Sequence, residues 1–498
     1  MNFRIKLKNI FNQNRIVKKI AKEDLSLKQK TFSGGFWVFF LRASRRFVDL
    51  IRTIILARLL SPGDFGVVAL ALFVVQILEN FSTTGIEDAL IQKKGSIKSY
   101  LDTAWTIQLL RALIISIILF FGAPFAGIFF QETKIIPFIR VLALAEIVKG
   151  FTHIKVIYFQ KKLEFHKLFI YQLSGVVIEL LVSIPLAFYL KSAWALILGL
   201  FSGHLIRCLI SYFIFSYRPK FFIKKNQAKN LFGFGKYVLF QNIVVFLITQ
   251  GDDAFVGKIL GTTALGIYQL AYKFSNITAT EFSHVISSVT LPAYAILQND
   301  KKKLTRALTM TLHFTAIITI PISMVIFIFA KEITILFLGN HWIQAVPVMK
   351  ILAIFGLIRS ITSSFGPVYR ATKNLKQPLL ISFIQLLFLT IIIYPLTMKF
   401  SLMGVATGVT VSLILSLVLT SVVISRFLET SLRNLYSGFS IIILKSLLMT
   451  VIMSSINTIH LIQSNLLNFS VTLLSGCLFY CILNYKEFKK VLCQIQKK

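Results

Sequence analysis

Between residues 33 and 57 the chain carries Arg42, Arg45, Arg46, Asp49 and Arg52 inside an otherwise apolar stretch. Offsets of three, four, seven and ten residues place the first four on one helical stripe, with Arg52 at its edge. Guanidinium groups bind oxyanions bidentately, so the chemistry on offer is capture of phosphate or carboxylate. A charge in the middle of a membrane helix costs about 2.5–3.5 kcal/mol on insertion scales. The stripe is therefore expected to line a wet cavity rather than face lipid; ion pairing buried within one half of the molecule is the alternative. Asp49 stands one turn from Arg45 and Arg46 and is expected to pair with one of them.

Softer polar faces recur further along. Gln76, Glu79, Asn80 and Thr83 share one helical spacing, as do Lys273, Asn276, Thr280, Glu281 and His284. Gln241, Asn242, Thr249 and Gln250 precede Asp252 and Asp253. Arg359 is a deep cation with no carboxylate within a turn. The candidate ligand-contacting set is thus Arg42, Arg45, Arg46, Arg52, Glu79, Asn80, Asn242, Lys273, Asn276 and Arg359. An ion-coupling carboxylate must lie in the membrane and change partners between states. Asp49 fits best, because an anionic ligand would compete for its arginines; Asp252, Asp253 and Glu281 are alternatives. Lys149 is expected to pair with Glu146, and Arg140 and Lys350 to snorkel toward an outer face.

The elements that hold these residues follow from composition. Of 498 residues, 56% are hydrophobic, against about 45–50% apolar in soluble domains. The excess sits in blocks of about 20, the length of a membrane-crossing helix. Fourteen spans are read, at 33–57, 66–91, 103–122, 135–157, 168–189, 193–216, 234–251, 264–290, 305–329, 344–369, 378–397, 402–424, 436–456 and 466–485. The breaks coincide with turn signals such as Ser61-Pro62-Gly63-Asp64 and Lys376-Gln377-Pro378.

A net charge of +35 would suggest nucleic acid in a soluble protein. Here the cations lie mainly between hydrophobic blocks, where they set topology, and no nucleic-acid partner is expected. Counting span-end cations with their loops, 36 of the 54 Lys and Arg fall in the two termini and the loops after even-numbered spans. Six fall in the loops after odd-numbered spans. That bias places both termini in the cytoplasm.

The chain also repeats. Shifted by 200 residues, Gly35, Val38, Phe40, Leu60, Gly66, Leu70, Ala71 and Ile77 fall on Gly235, Val238, Phe240, Leu260, Gly266, Leu270, Ala271 and Ile277. Shifted by 210, Pro137, Arg140, Leu142, Ala143 and Lys149 fall on Pro347, Lys350, Leu352, Ala353 and Arg359. Spans 1–6 therefore match spans 7–12, as parallel repeats. The expected organisation is a basic segment 1–32, a first lobe 33–216, a linker 217–233, a second lobe 234–424, an added pair of spans within 425–485 and a basic tail 486–498. Gly199-xxx-Gly203 and Gly404-xxx-Gly408 read as close-packing faces.

Catalytic motifs are absent from the sequence, including G-x-x-x-x-G-K-[ST], G-x-S-x-G, H-E-x-x-H and C-x-x-C. No enzyme activity, cofactor or metal is expected. The four cysteines imply no disulfide framework.

Several segments together resemble a known family. Ser33-Gly34-Gly35-Phe36-Trp37 opens span 1, and Leu56-Ala57-Arg58-Leu59-Leu60-Ser61-Pro62-Gly63-Asp64-Phe65-Gly66 joins it to span 2. Leu260-Gly261-Thr262-Thr263-Ala264-Leu265-Gly266-Ile267-Tyr268-Gln269-Leu270-Ala271-Tyr272 joins spans 7 and 8. Leu291-Pro292-Ala293-Tyr294, Gly339-Asn340-His341-Trp342 and Gly356-Leu357-Ile358-Arg359-Ser360 follow. In this order and spacing they resemble bacterial polysaccharide exporters of the O-antigen-flippase type, with the colanic-acid-exporter branch nearest, within the multidrug/oligosaccharidyl-lipid/polysaccharide exporter superfamily.

The resemblance implies a V-shaped pair of six-helix lobes in the bacterial inner membrane. It implies flipping of an undecaprenyl-diphosphate-linked oligosaccharide to the outer leaflet by alternating access. With no site for ATP, the cycle would draw on H+ or Na+ or on substrate supply, beside a polysaccharide polymerase and glycosyltransferases. A lipid-linked peptidoglycan-precursor flippase and a multidrug-type exporter of the same fold remain alternatives. A membrane glycosyl polymerase or ligase is disfavoured, since no large outer loop is present.

Overall fold

The computed structural model describes residues 27–82, 85–93, 97–374, 376–459 and 465–485. They form helices and connections, with no strand among the described residues. Two compact units divide the chain, Met1–Gly266 and Ile267–Lys498.

The first unit contains α1 (Leu27–Leu59), α2 (Pro62–Phe81), α3 (Ile86–Gln92), α4 (Leu101–Phe130), α5 (Ile135–Phe151), α6 (Ile157–Lys161), α7 (Phe165–Leu190), α8 (Trp194–Ile214), α9 (Lys225–Ile259) and the start of α10 (Gly261–Ser275). The Ser61-Pro62-Gly63-Asp64 signal opens α2 as a capping box. Ser61 Oγ accepts from the Asp64 amide at 3.2 Å, and Asp64 Oδ2 accepts from the Ser61 amide at 3.0 Å. Helix α1 packs on α7, α7 on α8, and α5 on α2, α4 and α8. Helix α9, first of the second repeat, packs on α2, and the first unit accordingly runs to Gly266.

Lipid is as apolar as leucine, so such helices are held by close approach and internal hydrogen bonds rather than by escape from water. The Gly199 and Gly203 face does this. A Cβ on Gly199 would meet Ser183 Cβ at 2.8 Å, and one on Gly203 the Gly175 carbonyl oxygen at 2.9 Å, both on α7.

The second unit contains α11 (Ile277–Leu297), α12 (Lys301–Ile328), α13 (Ala330–Ile333), α14 (Ala345–Ser363), α15 (Gly366–Ala371), α16 (Lys376–Phe427), α17 (Leu432–Leu435), α18 (Phe439–Ile459) and α19 (Asn465–Leu483). Helix α12 is central. Leu304, Leu308 and Leu312 pack with Ile361, Phe365 and Ile424. Further along, Ile317 and Ile320 pack with Ile442, Met449, Met453 and Phe469, which seats α18 and α19 on α12.

Among the described residues, eight helical stretches are long and apolar enough to cross a membrane. One of them, Lys376–Leu428, is two helices joined at Ser401, where φ is 52°. There a Cβ on Gly404 would fall 2.0 Å from the Leu396 carbonyl oxygen. Others are interrupted where the sequence suggested continuity. Span 2 divides into α2, capped at Ser82, and α3, whose N-cap Gly85 adopts φ 64°, and span 8 breaks at Asn276. Pro185 in α7 and Pro395 in α16, 210 residues apart, sit inside their helices at equivalent places of the repeat.

Candidate functional site

The charged stripe of α1 is divided by its neighbours. Arg52 is 15% exposed and donates from Nη2 to Asp49 Oδ1 at 2.9 Å, while its Nη1 pairs with Glu179 on α7. Arg52 is thus a partner of Asp49 beyond the one-turn neighbours Arg45 and Arg46 that sequence spacing singled out. Arg45 is exposed; Arg46 and Asp49 are half-buried. The side chains of Arg42, Asn242 and Glu281 lie outside the described residues. Glu179 was missed by the sequence reading, although a single acid among Val176, Val177, Ile178, Leu180 and Leu181 is itself a signal of function or pairing.

The first unit encloses a polar cavity of about 320 Å³. Glu79 reaches it from α2, Gln108 and Arg111 from α4, Glu146 and Lys149 from α5, and Tyr171 and Gln172 from α7. Lys149 Nζ lies 2.8 Å from Glu79 Oε1 and 2.5 Å from Glu146 Oε1. The pairing with Glu146 matches the sequence expectation. The pairing with Glu79, seventy residues away, was not legible. Arg111 turns to the end of α2, donating to the Glu79 carbonyl oxygen at 2.7 Å and to Ser82 Oγ at 3.0 Å, where helix carbonyls favour a cation. Gln108 Nε2 donates to the carbonyls of Gly150 and Thr152 at 3.0 and 3.1 Å. Buried charges persist when paired. Two carboxylates on one ammonium leave one excess negative charge, which a single bound proton neutralises.

Other predicted residues fall elsewhere. Asn80 Nδ2 donates to the Gln76 carbonyl at 2.8 Å, back along its own helix. Asp252 and Asp253 on α9 are buried.

In the second unit Arg359 on α14 donates to the Tyr272 hydroxyl of α10, and its guanidinium lies 5.9 Å over the Phe355 ring. Lys273 follows Tyr272 and is half-buried; Asn276 is buried at the start of α11. Among the described residues no carboxylate forms an ion pair with Arg359. The repeat explains the difference from Lys149. Arg359 is the counterpart of Lys149, but Gly356 stands for Glu146 and Ala279 for Glu79. The second repeat keeps the cation and lacks both anions.

Residues 55–347 match a family model described as polysaccharide biosynthesis protein. The chain is 26% identical over 390 residues to the lipopolysaccharide biosynthesis protein WzxC of Escherichia coli (strain K12), covering 78% of each chain. It is 24% identical over 314 residues to the succinoglycan biosynthesis transport protein ExoT of Rhizobium meliloti (strain 1021), covering 63% of each. Among solved structures it is similar to the lipid II flippase MurJ in an inward closed conformation. The TM-score is 0.73 at 18% identity, over 91% of this chain and 99% of that one. At that identity the likeness is one of fold: an all-helical, multi-pass transporter architecture.

Proposed function

Because the chain belongs to the polysaccharide biosynthesis protein family, we propose that it is a flippase for an undecaprenyl-diphosphate-linked oligosaccharide. It carries this lipid from the inner to the outer leaflet of the bacterial cytoplasmic membrane by alternating access. The observation that carries the reading is Arg359: a guanidinium inside an apolar span, held by a neutral phenol. A cation so placed keeps its charge for an anion, and a diphosphate offers bidentate oxygens. Lys273 and Asn276 stand with Arg359 in the second unit, and the arginines of α1 are the corresponding cations of the first. Glycan-precursor transport also agrees with the relatives' names, one of which is a transport protein.

The cycle is coupled to a proton or sodium gradient. Glu79 and Glu146 around Lys149 are the exchange site favoured by geometry, with Asp49, Asp252, Asp253 and Glu281 as further intramembrane carboxylates. Both termini are cytoplasmic, by the bias of basic loops. A polysaccharide polymerase and glycosyltransferases act on the same lipid-linked chain.

The experiment is reconstitution into proteoliposomes with a lipid-linked oligosaccharide labelled on its sugar. Protein-dependent loss of label to an external glycosidase, absent in empty vesicles, is the expected result. No acceleration with the oligosaccharide lipid, but acceleration with a lipid-linked peptidoglycan precursor, would transfer the assignment to that substrate.

A further inference from the structure

Beside the polar cavity, and sharing Arg111 and Ile115 with it, the first unit has a second, apolar cavity of about 530 Å³. Ile107, Leu110, Ile114 and Ile118 of α4 form one wall, and Leu78 and Phe81 of α2 the other. Leu110, Ile114 and Ile118 are 44%, 58% and 49% exposed, so the cavity is a groove open to the side. Its polar wall residues are Arg111 and Ser82, already hydrogen-bonded to each other. From Ile107 to Ile118 the groove follows eleven residues of α4, about 16 Å at the helical rise. That is the hydrocarbon depth of one leaflet, about half of 30 Å.

Ile223 closes one end, and its surroundings are of opposite character. It belongs to the segment Lys220-Phe221-Phe222-Ile223-Lys224-Lys225 between α8 and α9. All three lysines are exposed, as are Phe221 and Phe222 at 71% and 51%. The backbone is not loose. The Lys220 amide donates to Asp102 Oδ1 at 2.9 Å, the Phe222 amide to Thr106 Oγ1 at 3.1 Å and the Lys224 amide to Thr103 Oγ1 at 3.2 Å. Phe221 packs on Trp105 of α4 at 5.0 Å. The lysines are therefore fixed around the first turns of α4, one turn from where the groove begins. Aromatic and basic side chains at the end of a spanning helix are the pattern of a membrane interface, and clustered lysines there attract anionic lipid.

We propose that this groove is a binding site for an anionic phospholipid of the cytoplasmic leaflet. One acyl chain lies between α2 and α4, and the phosphate is held by Lys220, Lys224 and Lys225. The length argues for a phospholipid chain rather than an undecaprenyl tail, which is far longer than one leaflet is deep. Charge complementarity argues against a zwitterionic lipid, whose own ammonium the lysines would repel. Bound lipid ties the segment that opens α9 to α4, so the membrane's anionic content acts on the connection between the two repeats. Only the choice of leaflet rests on the orientation proposed above; occupancy of the groove does not depend on what the protein transports.

The test is photolabelling of the full chain in phosphatidylcholine vesicles doped with diazirine-acyl phosphatidylglycerol or diazirine-acyl phosphatidylcholine. Adducts on α4 peptides are compared with adducts on the exposed α18 face of Leu444, Leu448 and Val451, an ordinary lipid contact. Phosphatidylglycerol should label α4 on the order of tenfold more than phosphatidylcholine, with no preference at α18. In K220Q/K224Q/K225Q, whose substitutions are all at exposed positions, the α4 preference should fall to about one, with α18 labelling and thermal unfolding unchanged. Equal labelling of α4 by both lipids, or a preference that survives the triple substitution, overturns the proposal. So does displacement by undecaprenyl phosphate where equal unlabelled phosphatidylglycerol has no effect.

Discussion

Gly66 and Gly266, 200 residues apart at equivalent places in the repeat, lie against each other's backbone. A Cβ on Gly66 would fall 1.7 Å from the Thr262 carbonyl oxygen, and one on Gly266 would fall 1.9 Å from the Pro62 carbonyl oxygen. Neither obstacle is a side chain that could turn away. Alanine at either position must separate the N-terminal ends of α2 and α10. Gly66→Ala and Gly266→Ala should each destabilise the protein by about 1–3 kcal/mol or more, the range for overpacking. Gly251→Ala on α9, with nothing within 4 Å of its added methyl, should not. Thermal unfolding in detergent reads the difference; equal midpoints for all three variants would dispose of the contact.

The cavity trio makes a sharper claim on stability. Lys149→Met removes the ammonium and leaves Glu79 and Glu146 facing each other without a cation. Breaking a fully buried pair from one side costs about 3–5 kcal/mol; Glu146 is buried but Lys149 and Glu79 are each about a third exposed, so the single variant should lose about 1–3 kcal/mol. K149M/E79Q/E146Q removes the whole charge set and should recover most of that loss. A triple variant no more stable than K149M would show that the carboxylates are not the cause. Glu146→Gln alone keeps the Glu79–Lys149 pair and should fold normally. It has no exchangeable proton at position 146, so gradient-stimulated transport should fall while the rate without a gradient is kept.

Orientation has its own check. A reporter active only outside the cytoplasm should be silent after residue 430 and active after residue 461, flanking span 13. Activity at 430 would reverse the charge-bias assignment.

How much of this was legible depends on range. Helical blocks were readable because each span's hydrophobicity is a local property: α7 and α8 match their predicted spans closely at 165–190 and 194–214, while α4 runs to Phe130, eight residues past its predicted end. Breaks that need a particular dihedral were harder. Gly85 sits in left-handed φ inside what read as one span, and its type alone does not force that. The Gly199 and Gly203 face was visible, since small residues four apart have one main use in lipid. Charge pairing divided by distance: Lys149 with Glu146 follows from a three-residue offset, whereas Glu79 and Glu179 meet their partners only through helix packing. The repeat was seen in apolar and glycine positions. Its most telling feature, the joint loss of Glu79 and Glu146 at Ala279 and Gly356, needed the cavity to show that those two acids belong together.

Arg359 carries the remaining prediction. Its repeat counterpart Lys149 is held by two carboxylates, whereas Arg359 is held by the Tyr272 hydroxyl and the face of Phe355. A phenol steers a guanidinium without neutralising it. Arg359→Gln should therefore cost little stability, because no carboxylate among the described residues pairs with it. It should lower transport of a diphosphate-linked substrate by about tenfold or more, the worth of roughly 1.5–3 kcal/mol for a charge-assisted hydrogen bond. Arg359→Lys restores the charge without the planar fork and should recover only part of the activity. Tyr272→Phe removes the steering hydroxyl and keeps the charge, so it should raise the half-saturating substrate concentration more than it lowers the maximal rate. If Arg359→Gln transports at the normal rate with normal half-saturation, the cation is structural and the anion-binding reading of the second unit fails. If it unfolds the protein instead, a carboxylate partner exists for it, and Arg359→Lys at normal stability would confirm that pairing.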